Sequence, residues 1–401
     1  MATSGDLRLV RLLAGLATAV LLGGTACSGP AGGDAAPTGT PSTAGPTAAV
    51  GDGDGPPCTV ALPASWDAAL HAGVVAPQAG ETLTVALGLG DGSAFAVSDV
   101  PGVRHALVRR HGASAGEDPG SDVVVQDLGL DHPEWQVLGA TWDGRHLAYR
   151  VDRSYADFED FALYVWDSQG GRRPVEVAHG ERDADGKLMQ TPFVDPVLAD
   201  GWLYWTQTRD ADPGRTVVSG YRLADGHVER LARGFSRAPV RFGDLLVRAD
   251  SAKAAQTSSL RALDLAGHRP AGLPAPLASV RGPYYLAADE DTFAWVGGAQ
   301  GDEVWVWRAG WPAARLLAAH ATGAQFPRVA GDTVVWTGDD ATWVGDLRSW
   351  SAARLTPSYG GVWADGGPVV TVAFAPQEKG GPSVQALLDT TSVGPLGRAG
   401  C

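Results

Sequence analysis

The chain of 401 residues has no isoleucine and no asparagine, and only three lysines (Lys187, Lys253 and Lys379) against 28 arginines. Such omissions reflect a GC-rich genome and carry no functional information. Basic charge is scarce as well: 45 acidic residues against 31 basic ones leave a net charge of −14. Phosphate binding needs a basic footprint, so nucleic acid is excluded as a partner. No apolar run approaches the roughly 20 residues with which a helix spans a bilayer. None of the nine histidines lies in a zinc spacing, His105 and His111 being six apart. There is no P-loop, no dinucleotide fingerprint and no series of sialidase-like Asp boxes, so neither a cofactor nor a metal is implied. Gly112-Ala113-Ser114-Ala115-Gly116 has the spacing of a nucleophile elbow, but Glu117, Asp118, Pro119 and Gly120 follow where a helix must start. Glu181, Asp183, Asp185 and Gly186 open like a calcium loop, yet Pro192 stands where a bidentate carboxylate is needed. No catalytic residue is assigned.

Glycine and proline are abundant, at 54 and 27 residues, too many for a helical bundle because both mark turns. With 44% hydrophobic residues the chain can nevertheless bury a sizeable core. The N-terminal stretch 1–26 carries Arg8 and Arg11, then an apolar run from Leu12 to Leu22, then small residues. That order is a signal peptide. Gly24-Thr25-Ala26-Cys27 resembles a bacterial lipobox, which implies cleavage before Cys27, lipid on its sulfur, and residence on the outer face of the cytoplasmic membrane; the alternative is secretion. Residues 27–57 are nearly all Gly, Ala, Pro, Thr, Ser and Asp, a flexible tether that cannot bury enough apolar area to order itself. In the lead-in 58–80, Ser65 is placed to cap a short helix with Trp66, Ala69, Leu70 and Val74 on one face.

From about residue 81 to 401, short β-type runs alternate with Gly/Asp turns. One type follows a tight turn seven times: SAFAVSDV, HLAYRV, WLYWTQT, LLVRAD, FAWVGG, VVWTG and PVVTVAF. A second type, VVVQDLG, ALYVWDSQGG, VSGYRLADG, LRALDLAG, VWVWRAG, WVGDLRSW and VQALLDT, puts Asp127, Asp167, Leu223, Asp264, Arg308, Asp346 and Asp389 in register. A period of roughly 40–50 residues with four short strands is the mark of propeller blades. The expected fold is all-β: a seven-bladed β-propeller of four-stranded blades, with six blades plus an irregular cap as the alternative. The unit from Trp142 to Val177, with its Asp-Gly turn, Leu-Ala-aromatic strand and Leu-Tyr-Val-x-Asp, resembles a repeat of the TolB-type β-propeller family. Tyr149, Trp205, Trp295 and Trp336 share one position of the repeat, where a large flat side chain fills the wedge between blades.

A circular fold has one seam at which its ends meet. With Cys27 lipidated, Cys58 and Cys401 are left to pair across it in an exported protein. Longer stretches, roughly 98–121, 151–161, 179–196 and 207–216, are expected on one face of the disc, and long loops in a compact fold tend to be functional. The candidate ligand-binding residues are Arg104, Arg109 and Arg110 on the first, Asp152, Arg153, Tyr155, Asp157 and Glu159 on the second, and Asp210 on the fourth. The expected function is a monomeric, non-catalytic binding or scaffolding module for a protein or cell-envelope ligand, touching the membrane only through its lipid. The alternatives are a polysaccharide hydrolase or lyase using carboxylates such as Asp152, Asp157 or Asp210, and an accessory or sensory subunit of a membrane complex.

Overall fold

A computed structural model describes residues 57–111, 122–154, 159–171, 173–189, 194–208, 216–234, 237–250, 258–298, 301–321, 323–339, 341–356, 361–364, 367–374 and 384–397. Seven sheets follow one another along the chain at 82–127, 136–179, 197–234, 240–271, 286–318, 325–356 and 362–389, and are numbered here as blades 1 to 7. Each is an antiparallel meander, and the first strands of successive blades touch one another around a closed ring, that of blade 7 meeting that of blade 1. The seven runs that follow tight turns are the second strands, from Ala94–Val100 in blade 1 to Val369–Phe374 in blade 7. Tyr149, Trp205, Trp295 and Trp336 are all buried, each in an apolar cluster shared with the preceding blade. A twisted sheet cannot bury both faces alone, and these rings fill the gap that radiating sheets leave between them.

The seam is closed by the N-terminal segment. Blade 7 has three strands of its own, and residues 73–75 run antiparallel beside the last, Val384–Asp389, with Val75 N donating to Gln385 O and Leu387 N to Gly73 O, both at 2.9 Å. A Cβ on Gly73 would lie 2.0 Å from Leu387 O, so only glycine fits at this crossing. The strand Cys58–Val60 adds a fifth, parallel strand to blade 6, with Cys58 opposite Ser351. Between them the helix Ala64–Ala72 buries Trp66 and Leu70, and Trp66 Nε1 donates to Gly394 O at 2.8 Å. Pro63, not Ser65, occupies the helix N-cap, and no side chain caps it. Proline is pre-set for a helix start and brings no amide that needs a partner, which moves the start two residues earlier than expected.

Blade 1 departs from the expected register. The third strand is Arg104–Arg110, and the run containing Asp127 is the fourth, Val123–Asp127. Residues 98–121 are therefore not one loop: Val100 and Arg104 are joined by a tight turn, with Val103 N donating to Val100 O at 2.9 Å. Charges at both ends of a short apolar centre, Ala106 to Val108, hide this strand from pattern reading. In blade 3 the third strand ends at Arg222, so Leu223 falls one residue outside it. The repeated aspartates are turn devices. Asp167, Asp264, Asp346 and Asp389 each end a third strand and accept backbone amides of the turn that follows.

Candidate functional site at the mouth of the channel

In an antiparallel meander, second-to-third turns and blade-to-blade connections share one face of the disc, while the other two turns share the opposite face. Of the expected ligand residues, Arg104 and Arg110 are the two ends of a third strand, tied into one ion-pair network. Arg110 is buried against Glu81 (2.7 Å) and Asp122 (2.9 Å), and Arg104 reaches the same two carboxylates at 3.3 and 3.2 Å. This network faces the N-terminal segment, with Arg110 also 3.5 Å from Ala76 O. Arg109 pairs with Asp91 at 2.9 Å and lies over the rings of Phe95 and Trp142, on the side of the first-to-second turns. These arginines hold the seam and a blade interface together. The tight turn after Val100 removes the loop that was to have presented them, and carboxylates from neighbouring strands take up their charge.

The Glu81 carboxyl illustrates the energetics. Burial by itself would raise its pKa, but hydrogen bonds from Arg110, Ser98 and the Gln78 amide, with the Arg110 charge, hold it down to about 2 against an ordinary 4.5. A carboxyl depressed in the folded state contributes stability above its unfolded pKa and loses it as pH falls through the folded one. Glu81→Gln is thus expected to cost about 3 kcal/mol at pH 7 and to flatten the loss of stability between about pH 4.5 and 2. Denaturant titrations across that range check it; unchanged acid sensitivity would place the linkage elsewhere.

Asp152, Arg153 and Glu159 do fall on the blade-to-blade face. Asp152 ends the second strand of blade 2 and is fully buried in an ion pair with Arg150, whose guanidinium stands 5.1 Å over the Phe161 ring. Burial pushes the Asp152 carboxyl up to about 6; Arg150 opposes this, and Glu159 and Asp160 add to it. Asp152 Oδ2 makes no hydrogen bond. Arg153 pairs with Glu176 at 3.0 Å and covers Trp135, and Glu159 lies against Gly180. Tyr155, Asp157 and Asp210 lie outside the described residues, as do Ser114 and its flanking glycines. The acidic stretch at Glu181 is a turn in which Asp183 accepts the amides of Asp185 and Lys187, each at 2.9 Å.

Residues that pattern reading missed converge where the first strands begin. Asp195 precedes Val197–Ala199 of blade 3, Arg237 precedes Val240–Phe242 of blade 4, and Tyr284 and Tyr285 precede Leu286–Ala288 of blade 5. Phe326 and Arg328 lie on the first strand of blade 6, Gln325–Ala330, at an irregularity in its pairing where Phe326 has φ +48°. Arg328 Nη2 stands 3.7 Å from Asp195 Oδ2, an ion pair that crosses the channel between blades 6 and 3. Asp195 Oδ1 is buried without a hydrogen bond, and burial raises this carboxyl against the pull of Arg328 and Arg150. The Arg237 guanidinium lies 5.0 Å from the Tyr284 ring and 5.6 Å from that of Tyr285, which in turn packs on Phe326 at 4.9 Å. Among the described residues Arg237 has no carboxylate partner. These residues are scattered over the connections into blades 3, 4 and 5 and the first strand of blade 6, with no common position in the repeat, so no repeat marks them. The adjacent pair Tyr284-Tyr285 after Pro283 was the one available signal.

The closed ring of seven sheets makes the chain a seven-bladed β-propeller. No family model and no curated protein matches it. Among solved structures it is similar to a prolyl endopeptidase (14% identity, TM-score 0.52, covering 82% of this chain and 49% of the other). It is also similar to a post-proline cleaving enzyme from Rickettsia typhi (10% identity, TM-score 0.50, 78% and 52% covered) and, at a TM-score of 0.41, to TolB from Acinetobacter baumannii (12% identity, 70% and 64% covered). The chain spans about half the length of the two peptidases. At such identities the likeness is one of fold alone.

Proposed function

We propose that this propeller is a non-catalytic binding module, tethered outside the cytoplasmic membrane through a lipidated Cys27, that engages a protein of the cell envelope through its blade-to-blade face. The observation that carries the reading is the asymmetry of the two faces. On one, carboxylates are consumed by their own turns: Asp91, Asp143, Asp167, Asp225, Asp264, Asp289, Asp346 and Asp389 all accept turn amides. On the other, where Asp127 and Asp183 also accept turn amides, Asp152 Oδ2, Arg153 Nε and Asp195 Oδ1 are buried without hydrogen bonds, and among the described residues Arg237 is held on aromatic rings without a counter-charge. Buried polar groups left short of partners are unusual in a folded protein and mark places where something besides stability is served.

Site-specific photo-crosslinking in cells tests this. Crosslinkers at Leu130 and Arg281, on blade-to-blade connections, are expected to trap a common envelope protein. Crosslinkers at Arg145 and Arg269, on exposed turns of the opposite face, are expected to trap none. Adducts from the second pair alone would reverse the assignment of the face.

A further inference from the structure

We infer that the channel mouth is an anion-recognition site, with Arg237 as its principal cation and Arg328 as its second, and that its ligand is an acidic, extended segment of a protein. The inference rests on the blade-to-blade face being the binding face, and it names the chemistry recognised there. A guanidinium stacked on two tyrosine rings is fixed in orientation and partly desolvated before any ligand arrives, so less freedom is lost when it binds. Its planar fork then suits a carboxylate, which it can engage through two parallel hydrogen bonds.

Many arginines elsewhere in the propeller are already committed. Arg104, Arg110, Arg145, Arg150, Arg153, Arg222 and Arg308 all have carboxylate partners within 3.5 Å. Among the described residues Arg237 has none, and Arg328 holds Asp195 only at 3.7 Å, beyond hydrogen-bond distance, with one hydrogen bond of its own, to Pro327 O. The aromatic rings do not serve as a sugar platform, because Arg237 covers Tyr284 and Tyr285, and Phe326 packs on Tyr285. That favours an acidic peptide over an acidic glycan. Net charge sharpens the point: a chain carrying −14 repels polyanions at long range, so an acidic peptide binds only where a local cationic site overcomes that field.

The test is fluorescence anisotropy with the full chain in detergent at low ionic strength, using a dye-labelled peptide of alternating Glu and Ala. Peptides with Gln or Lys in place of Glu and an oligogalacturonate serve as competitors. The Glu peptide is expected to bind, to weaken steeply with salt, and to lose about tenfold or more in affinity in Arg237→Gln, with a smaller loss in Arg328→Gln. Tyr284→Phe with Tyr285→Phe is expected to retain binding, and Tyr284→Leu with Tyr285→Leu to lose it, since the ring faces and not the hydroxyls hold the guanidinium. Circular dichroism of each variant separates loss of binding from loss of fold. No binding of the Glu peptide, or equal binding by Arg237→Gln, overturns the inference, and stronger competition by oligogalacturonate than by the Glu peptide reassigns the site to glycan and overturns it too. If crosslinks arise from Leu130 and Arg281 while the Glu peptide fails, the face stands and only its chemistry is wrong; crosslinks from Arg145 and Arg269 alone remove both.

Discussion

Trp205→Ala is expected to lower stability by about 3–5 kcal/mol, seen as a fall in the urea midpoint with little change in slope. The side chain is fully buried between blades 2 and 3, among Ala148, Leu163, Val194 and Leu198, and its indole N–H donates to the Gln207 side chain. Truncation removes the apolar contacts, leaves a cavity between two sheets that cannot collapse onto each other, and strands the buried Gln207 oxygen. Trp205→Phe keeps most of the ring and is expected to lose less. Equal stability of Trp205→Ala and wild type, combined with loss of partner capture, would make this tryptophan a ligand platform and refute its assignment to packing.

Reduction of a Cys58–Cys401 disulfide is expected to cost about 5 kcal/mol in the chain-entropy treatment, because the bond would close nearly the whole propeller into one loop. Cys401 lies outside the described residues, but the path of the chain just before it is clear. Leu396 N donates to Asp346 Oδ2 at 2.8 Å, and Ser351 Oγ donates to Gly397 O at 2.9 Å. Ser351 is also the residue opposite Cys58. The chain thus passes beside Cys58 four residues before its last cysteine, and four residues reach at most about 14 Å. Non-reducing peptide mapping is expected to recover the two cysteines joined, and reductant is expected to lower the unfolding midpoint of wild type and not of Cys58→Ser with Cys401→Ser. Two thiols alkylated in the native protein would refute the pairing.

Seven second strands could be read from the sequence because each combines a turn signal with a run of β-branched and aromatic residues, and both are local properties. The packing role of Tyr149, Trp205, Trp295 and Trp336 was legible because one position repeats across blades. Where the local signal was mixed, reading failed. Arg104–Arg110 carries charges at both ends and reads as a loop, while the carboxylates that take up those charges, Glu81 and Asp122, are contributed by other segments.

By itself the sequence determined the period, hence the propeller, and the turn face with its aspartates. These depend on residues near one another in the chain or repeated along it. The tertiary structure alone decided that residues 73–75 complete blade 7, that Arg110 locks the seam, and that Asp195, Arg237, Tyr284, Tyr285 and Arg328 meet at one mouth. Those juxtapositions join blades far apart in the chain, and closing the ring is what brings them within a few ångströms, at positions no spacing rule connects.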